Sequence, residues 1–178
     1  MLKIVVPAAE LFDGEGAFLY TKEQALQLEH SLVSLAKWES KWRRPFLSQG
    51  PRTREESLDY VRCMTLTQNV DPNVYRVVSA ELLNGIAAYI NAPMTATTFP
   101  KSRKRSGGEI VTAEVIYYWM IRCGIPVEFH KWHLNRLLTL IDVCCAKGQK
   151  PQKIPQSELL AQRRELNAAR RKKWNTRG

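Results

Sequence analysis

Apolar positions change period several times along this chain, and their densest run lies between Val111 and Lys147. From about Glu109 to Cys123, Ile110, Val111, Ala113, Val115, Ile116, Tyr117, Trp119, Met120 and Ile121 point almost all the way round a helix, the pattern of a helix buried on most sides. Gly124 and Pro126 then end it and open the next. From about Val127 to Ala146, Phe129, Trp132, His133, Leu137, Leu140, Ile141 and Cys144 recur at three-and-four spacing, which predicts a second helix with one apolar face. These two consecutive helices are expected to centre a compact core on the Tyr117–Trp119 segment. A dozen apolar residues would cover only about 18 Å of a hydrocarbon layer about 30 Å thick, so the first helix reads as core and not as a membrane span.

Upstream the period shortens. The β-branched run Leu2–Val6 stops at Pro7, and Ala17–Tyr20 follows the turn-forming Asp13-Gly14-Glu15-Gly16, which together predict a hairpin. Leu26, Leu28 and His30 alternate as in a strand over Ala25–Glu29, although Thr21 with Gln24 also resembles a capping box. A helix is expected from Ser31, with Leu32, Leu35, Ala36, Trp38 and Trp42 near one face, ending before Pro45. Thr53 with Glu56 opens another, to about Leu66, that buries Leu58, Val61 and Met64. Asp71-Pro72 starts a short helix to Val78, and Ser79 caps one reaching Asn91 with Leu82, Leu83, Ile86, Tyr89 and Ile90 as its stripe. Pro93–Gly108 reads as a loop. Gln156–Lys173 can form a helix, but Leu159, Leu160 and Leu166 are too few for a core stripe. The class expected is mainly α with a small N-terminal β-hairpin or sheet, α+β. One globular domain, 1–148, would hold a β element over 1–30 and a helical core over 31–148, followed by a basic linker and tail, 149–178.

Charge sharpens this division. The formal net charge of the 178 residues is +10, of which residues 101–108 contribute +4 and residues 149–178 contribute +7, leaving −1 for the rest. The body is neutral and the basicity sits in a loop and a tail. The N-terminus has no basic stretch followed by an apolar run and a cleavage site, so a soluble cytosolic protein is expected. Cys63, Cys123, Cys144 and Cys145 form no CxxC pair and read as reduced core thiols. His130 and His133 lie three apart on a helix but lack a third ligand in a zinc-type spacing, so His133 reads as a hydrogen-bonded histidine at the core edge and no metal or cofactor is expected. No phosphate-binding glycine loop, dinucleotide fingerprint or nucleophile–base pairing supports catalysis. Candidate contact residues are therefore those able to meet a partner. Lys101, Arg103, Lys104 and Arg105 in the loop, and Arg163, Arg164, Arg170, Arg171, Lys172 and Lys173 beside Trp174 in the tail, could meet phosphates or an acidic protein. Trp38 and Trp42, one turn apart, read either as packed against the hairpin, the commoner fate, or as anchors in an interface.

Several long motifs, in order, resemble a family of small proteins from tailed bacteriophages and prophages. They are LEHSLVSLAKWESKW (Leu28–Trp42), TLTQNVDPNVY (Thr65–Tyr75), PMTATTF (Pro93–Phe99), EIVTAEVIYYWMI (Glu109–Ile121) and KWHLNRLLTLIDVC (Lys131–Cys144), with LNAARRKKWNTRG at the end. The resemblance implies a non-enzymatic tail morphogenesis protein, a chaperone that holds the tape measure protein or tail-tube subunits in the host cytoplasm. A structural component of the virion's neck, tail or baseplate is the alternative, and a DNA-binding regulator using the basic tail is a third. The expected partners are phage proteins, a homo-oligomer being compatible, with nucleic acid the less favoured partner and no membrane. No acidic extension of a frameshifted chaperone form is seen.

Overall fold

A computed structural model describes residues 1–12, 18–47, 50, 52–97, 110–148 and 156–174, the side chains of 156–159, 161, 162, 172 and 173 excepted. The chain divides into two compact units, Met1–Cys144 and Cys145–Gly178. The fold is mostly helical with a small antiparallel β region at the N-terminus, the α+β class that the hydrophobic periods predict. Among the described residues no helix is long and apolar enough to cross a membrane.

The first unit opens with β1 (Leu2–Val6), β2 (Ala9–Phe12), β3 (Phe18–Thr21) and β4 (Gln24–Leu28). The expected hairpin between Leu2–Val6 and Ala17–Tyr20 is corrected: β1 pairs with β4, and β3 pairs with β2, a strand the sequence reading missed. Thr21 fixes this nested register from the side, its hydroxyl donating to the Ala9 carbonyl at 3.1 Å and accepting from the Ala9 N–H at 3.2 Å. Only the β1–β4 pair reaches the core, through Val6, Leu26 and Leu28. The turn predicted at Asp13–Gly16 lies outside the described residues.

The helices α1 (Leu32–Trp42), α2 (Arg54–Met64) and α3 (Ala80–Asn91) start where their caps predict. Ser31 caps α1 with Ser34 reciprocating, Thr53 and Glu56 form the capping box of α2, and the Ser79 hydroxyl accepts from Leu82 N–H. One boundary differs from expectation. Beyond Met64 the chain is extended and pairs with β4 (Glu29 N–H to Met64 carbonyl, 2.9 Å; Leu66 N–H to Gln27 carbonyl, 2.8 Å), so α2 cannot continue to Leu66. Asp71-Pro72 opens the expected short helix, which is a 3-10 helix over Pro72–Val77.

The two helices expected at the centre are α4 (Ala113–Arg122) and α5 (Leu134–Gly148), and both supply the core, through Ala113, Ile116 and Met120 and through Leu134, Leu137 and Ile141. Enclosure of α4 on most sides is corrected. It buries one stripe, Trp119 is half-buried, Tyr118 is exposed and Ile121 is 79% exposed. The single helix expected over Val127–Ala146 is also corrected, because a 3-10 helix, Val127–Lys131, is followed by a break at Trp132 and His133. The cause is tertiary: His133 pairs in β fashion with Ser31, and Leu134 N–H donates to the His30 carbonyl at 2.7 Å. The cysteines are not the core residues expected, Cys63, Cys123 and Cys144 being half-buried and Cys145 exposed.

The largest fully enclosed side chain is Trp38 on α1, 1% exposed. Its ring meets Phe46 edge-on at 5.1 Å and Tyr60 edge-on at 6.4 Å, and its indole N–H donates to the Glu56 carbonyl at 2.9 Å. One residue on, the buried Glu39 carboxylate accepts from Phe46 N–H and from Ala113 N–H, each at 2.7 Å. It thereby caps α4, whose own N-cap residue Thr112 makes no side-chain cap. Burial pushes the Glu39 pKa up against the opposing pull of those two N–H groups. A second polar knot joins β4, α2, α3 and α5. His30 Nδ1 shares a 2.5 Å hydrogen bond with the Tyr60 hydroxyl and meets the His133 ring edge-on at 5.2 Å, while His133 Nε2 donates to the Tyr89 carbonyl at 3.1 Å.

Trp38→Ala should cost about 3 to 5 kcal/mol, whereas Trp119→Ala, with part of its ring already in water, should cost about 1 to 2 kcal/mol, as read from denaturant midpoints. Burial, then the neighbouring His133 and Arg52, lower the His30 pKa from 6.5 to about 3, and burial lowers that of His133. Between those values the unfolded chain takes up a proton that the folded chain refuses. Stability is thus held above about pH 6.5 and should fall towards pH 3, by up to about 1.4 kcal/mol per pH unit for His30, with His133 acting in the same direction. His30→Gln, which cannot take that proton, should flatten the slope relative to the parent chain in denaturation series across this range.

Candidate partner-binding groove

Three elements of the first unit, α1, α2 and the 3-10 helix Pro72–Val77, bound a hollow of about 420 Å³. Its apolar surface comes from Trp42, Leu58 and Tyr75, and its charged wall from Lys41, Arg54, Arg62 and Arg76 with Glu55 and Asp59. A second hollow of about 320 Å³ adjoins it across the shared Arg62 and Tyr75, and is lined further by Thr65, Thr67, Val70 and Pro72.

Helical spacing builds the wall. Lys41 and Trp42 close the last turn of α1, and Leu58, Asp59 and Arg62 lie at i, i+1 and i+4 on α2, facing them. Asp59 joins the two helices: its buried carboxylate is ion-paired with Lys41 and accepts the Trp42 indole N–H at 2.9 Å. The cations lie over the rings, Lys41 at 5.6 Å from the Trp42 centroid and Arg62 at 5.0 Å from that of Tyr75. Arg54 donates to the Val78 carbonyl at 3.2 Å, fixing that end of the wall. Such a surface can seat an apolar side chain and hold anionic groups on either side of it.

The residues proposed from sequence fall in the first unit, in the second unit and outside the described residues. Trp38 is enclosed and leaves the surface to Trp42, which is half-buried in the groove wall. Arg163, Arg164, Arg170 and Arg171 are exposed on α6 (Gln156–Trp174), as is Trp174. Lys172 and Lys173 belong to the same helix, their side chains lying outside the description, and Lys101, Arg103, Lys104 and Arg105 lie outside the described residues altogether. His133 is the hydrogen-bonded core-edge histidine that its position predicts, and His130 pairs with the Tyr117 hydroxyl at 3.3 Å. Among the described residues no three His, Cys, Asp or Glu side chains cluster as a metal would require.

Lys41, Arg54, Arg62 and Arg76 were missed because their cationic face is assembled from three elements, with no run of bases to mark it. The signal was present only as helical spacing: Arg62 falls one turn beyond Leu58, and Arg76 follows Tyr75. No known protein family, curated protein or solved structure matches the chain.

Asp59→Ala should cost about 1 to 2 kcal/mol and alter tryptophan emission, because it leaves the Trp42 indole N–H without its acceptor. Asp59→Asn keeps an acceptor and should retain more of both, measured by denaturation and intrinsic fluorescence.

Proposed function

We propose that the chain is a non-enzymatic assembly protein of a tailed bacteriophage, a chaperone that holds a segment of the tape measure protein, or of tail-tube subunits, in the host cytoplasm before the tail closes round it. The observation that carries this reading is a convergence. Two of the stretches that resemble the phage family, Leu28–Trp42 and Thr65–Tyr75, supply Lys41, Trp42, Thr65, Thr67, Val70, Pro72 and Tyr75 to the two joined hollows. A chaperone for a helical client needs apolar seats with charged flanks, and the lining of these hollows supplies both. Nothing in the job requires a reacting group.

A second reading has its own support in α6, where four arginines and Trp174 are exposed, a combination suited to phosphate and base contacts. Nucleic-acid binding of that kind would weaken steeply as salt rises and would vanish when residues 149–178 are removed.

Coexpression with the tape measure protein of the same phage should keep that protein soluble and yield a copurifying complex. Failure of the correct pair to copurify would overturn the chaperone reading. Stoichiometric recovery of the chain from purified particles, by mass spectrometry, would replace it with the virion-component alternative.

A further inference from the structure

Three features of the groove specify its occupant more closely than the proposed role does. First, two open hollows lie on either side of the shared Arg62 and Tyr75, which suits a length of chain reaching both, where a compact ligand would need one closed cavity. Second, Lys41 and Asp59 in the wall are paired with each other, which leaves Arg54, Arg62 and Arg76 against the one carboxylate of Glu55. The field at the rim is positive. Third, the aromatic rings are already covered, Trp42 by Lys41 and Tyr75 by Arg62, so a nucleobase would have to displace a cation before it could stack. An aliphatic side chain needs no open ring face, since Leu58 and the ring edges give it an apolar seat.

We propose that the paired hollows of α1, α2 and the 3-10 helix Pro72–Val77 form a docking groove for an acidic polypeptide segment whose carboxylates flank an apolar anchor. This rests on reading the groove as the protein's partner site. Arg62 and Arg76, both exposed, meet the carboxylates, and the floor of Trp42, Leu58 and Tyr75 receives the anchor.

The probe is a fluorescein-labelled peptide of about 15 residues in which pairs of Glu and Asp alternate with Leu and Phe. Its counterpart has Lys and Arg at every acidic position, and a single-stranded oligodeoxynucleotide of similar length serves as the competing class. Titrated on the full chain, the acidic peptide should bind, weaken on raising salt and quench tryptophan fluorescence, while the basic peptide should not bind. Arg62→Glu combined with Arg76→Glu should reduce its affinity about tenfold or more. Arg170→Glu with Arg171→Glu, on α6, should leave the affinity unchanged, and equal melting temperatures for both variants exclude unfolding as the cause. Absence of acidic-peptide binding, or loss through the α6 variant in place of the groove variant, would overturn the proposal, as would binding of the oligonucleotide in the groove. The two readings fail separately: peptide binding without tape-measure copurification removes the phage role and keeps the groove. Copurification that survives Arg62→Glu with Arg76→Glu does the reverse.

Discussion

A carboxylate drawn into the interior must be met by donors, and Glu39 is where this fold satisfies that requirement. An uncompensated charge at that depth would cost several kcal/mol, so the site exists only with the Phe46 and Ala113 N–H groups aimed at it. Those two donors come from different places. Phe46 N–H belongs to the turn after α1, and Ala113 N–H to the first turn of α4, 74 residues beyond Glu39. The same carboxylate therefore orients the turn that carries Phe46 onto Trp38 and Tyr60, and positions the start of the helix that supplies Ile116 and Met120 to the core. With Trp38 anchored to the Glu56 carbonyl one residue earlier, α1 is tied to α2 and α4 at neighbouring positions.

This helps explain why the groove lies where it does. α1 buries Leu35, Trp38 and Glu39 on one side, and the next turn on that side brings Trp42 to the rim, where the helix ends with Arg43 in the left-handed conformation. The indole at the rim is partly wet and its N–H needs an acceptor. Asp59 on α2 supplies one and draws Lys41 in with it. A packing demand at the end of a core helix thus places a cation, an indole and a leucine side by side at the surface.

Local signals in the sequence were read well because each is a short-range physical requirement. Ser31, Thr53, Asp71 and Ser79 all satisfy N–H groups within a few residues of themselves, and all four open the helices that they predict. What escaped depends on remote partners. The strand Ala9–Phe12 has no β-branched run and takes its place through pairing with β3 and the Thr21 hydroxyl; the helix break at His133 is made by Ser31, about a hundred positions away. The apolar ring around α4 promised enclosure, but period reports only which sides could be buried, and Tyr118 and Ile121 face water. The groove was legible only in part: Trp42 was singled out, whereas Arg62 and Arg76 carry no local mark of sharing its wall.

Formal charge also misdescribes the body, for a reason that the interior supplies. Among the described residues the buried charged side chains are Glu39, Glu56 and Asp59, all acids. Each has structural work: Glu39 holds two backbone N–H groups, Glu56 closes its capping box and pairs with Arg44, and Asp59 bonds Lys41 and Trp42. Acids that sit inside contribute to the neutral total while presenting little of themselves to a ligand at the surface. Their exposed counterparts, among them Lys41, Arg54, Arg62 and Arg76, do present themselves, so an approaching chain meets a more positive face than the sum over the sequence predicts. That asymmetry leaves the rim of the groove more positive than the near-neutral total of the body, beside the apolar floor of Trp42, Leu58 and Tyr75.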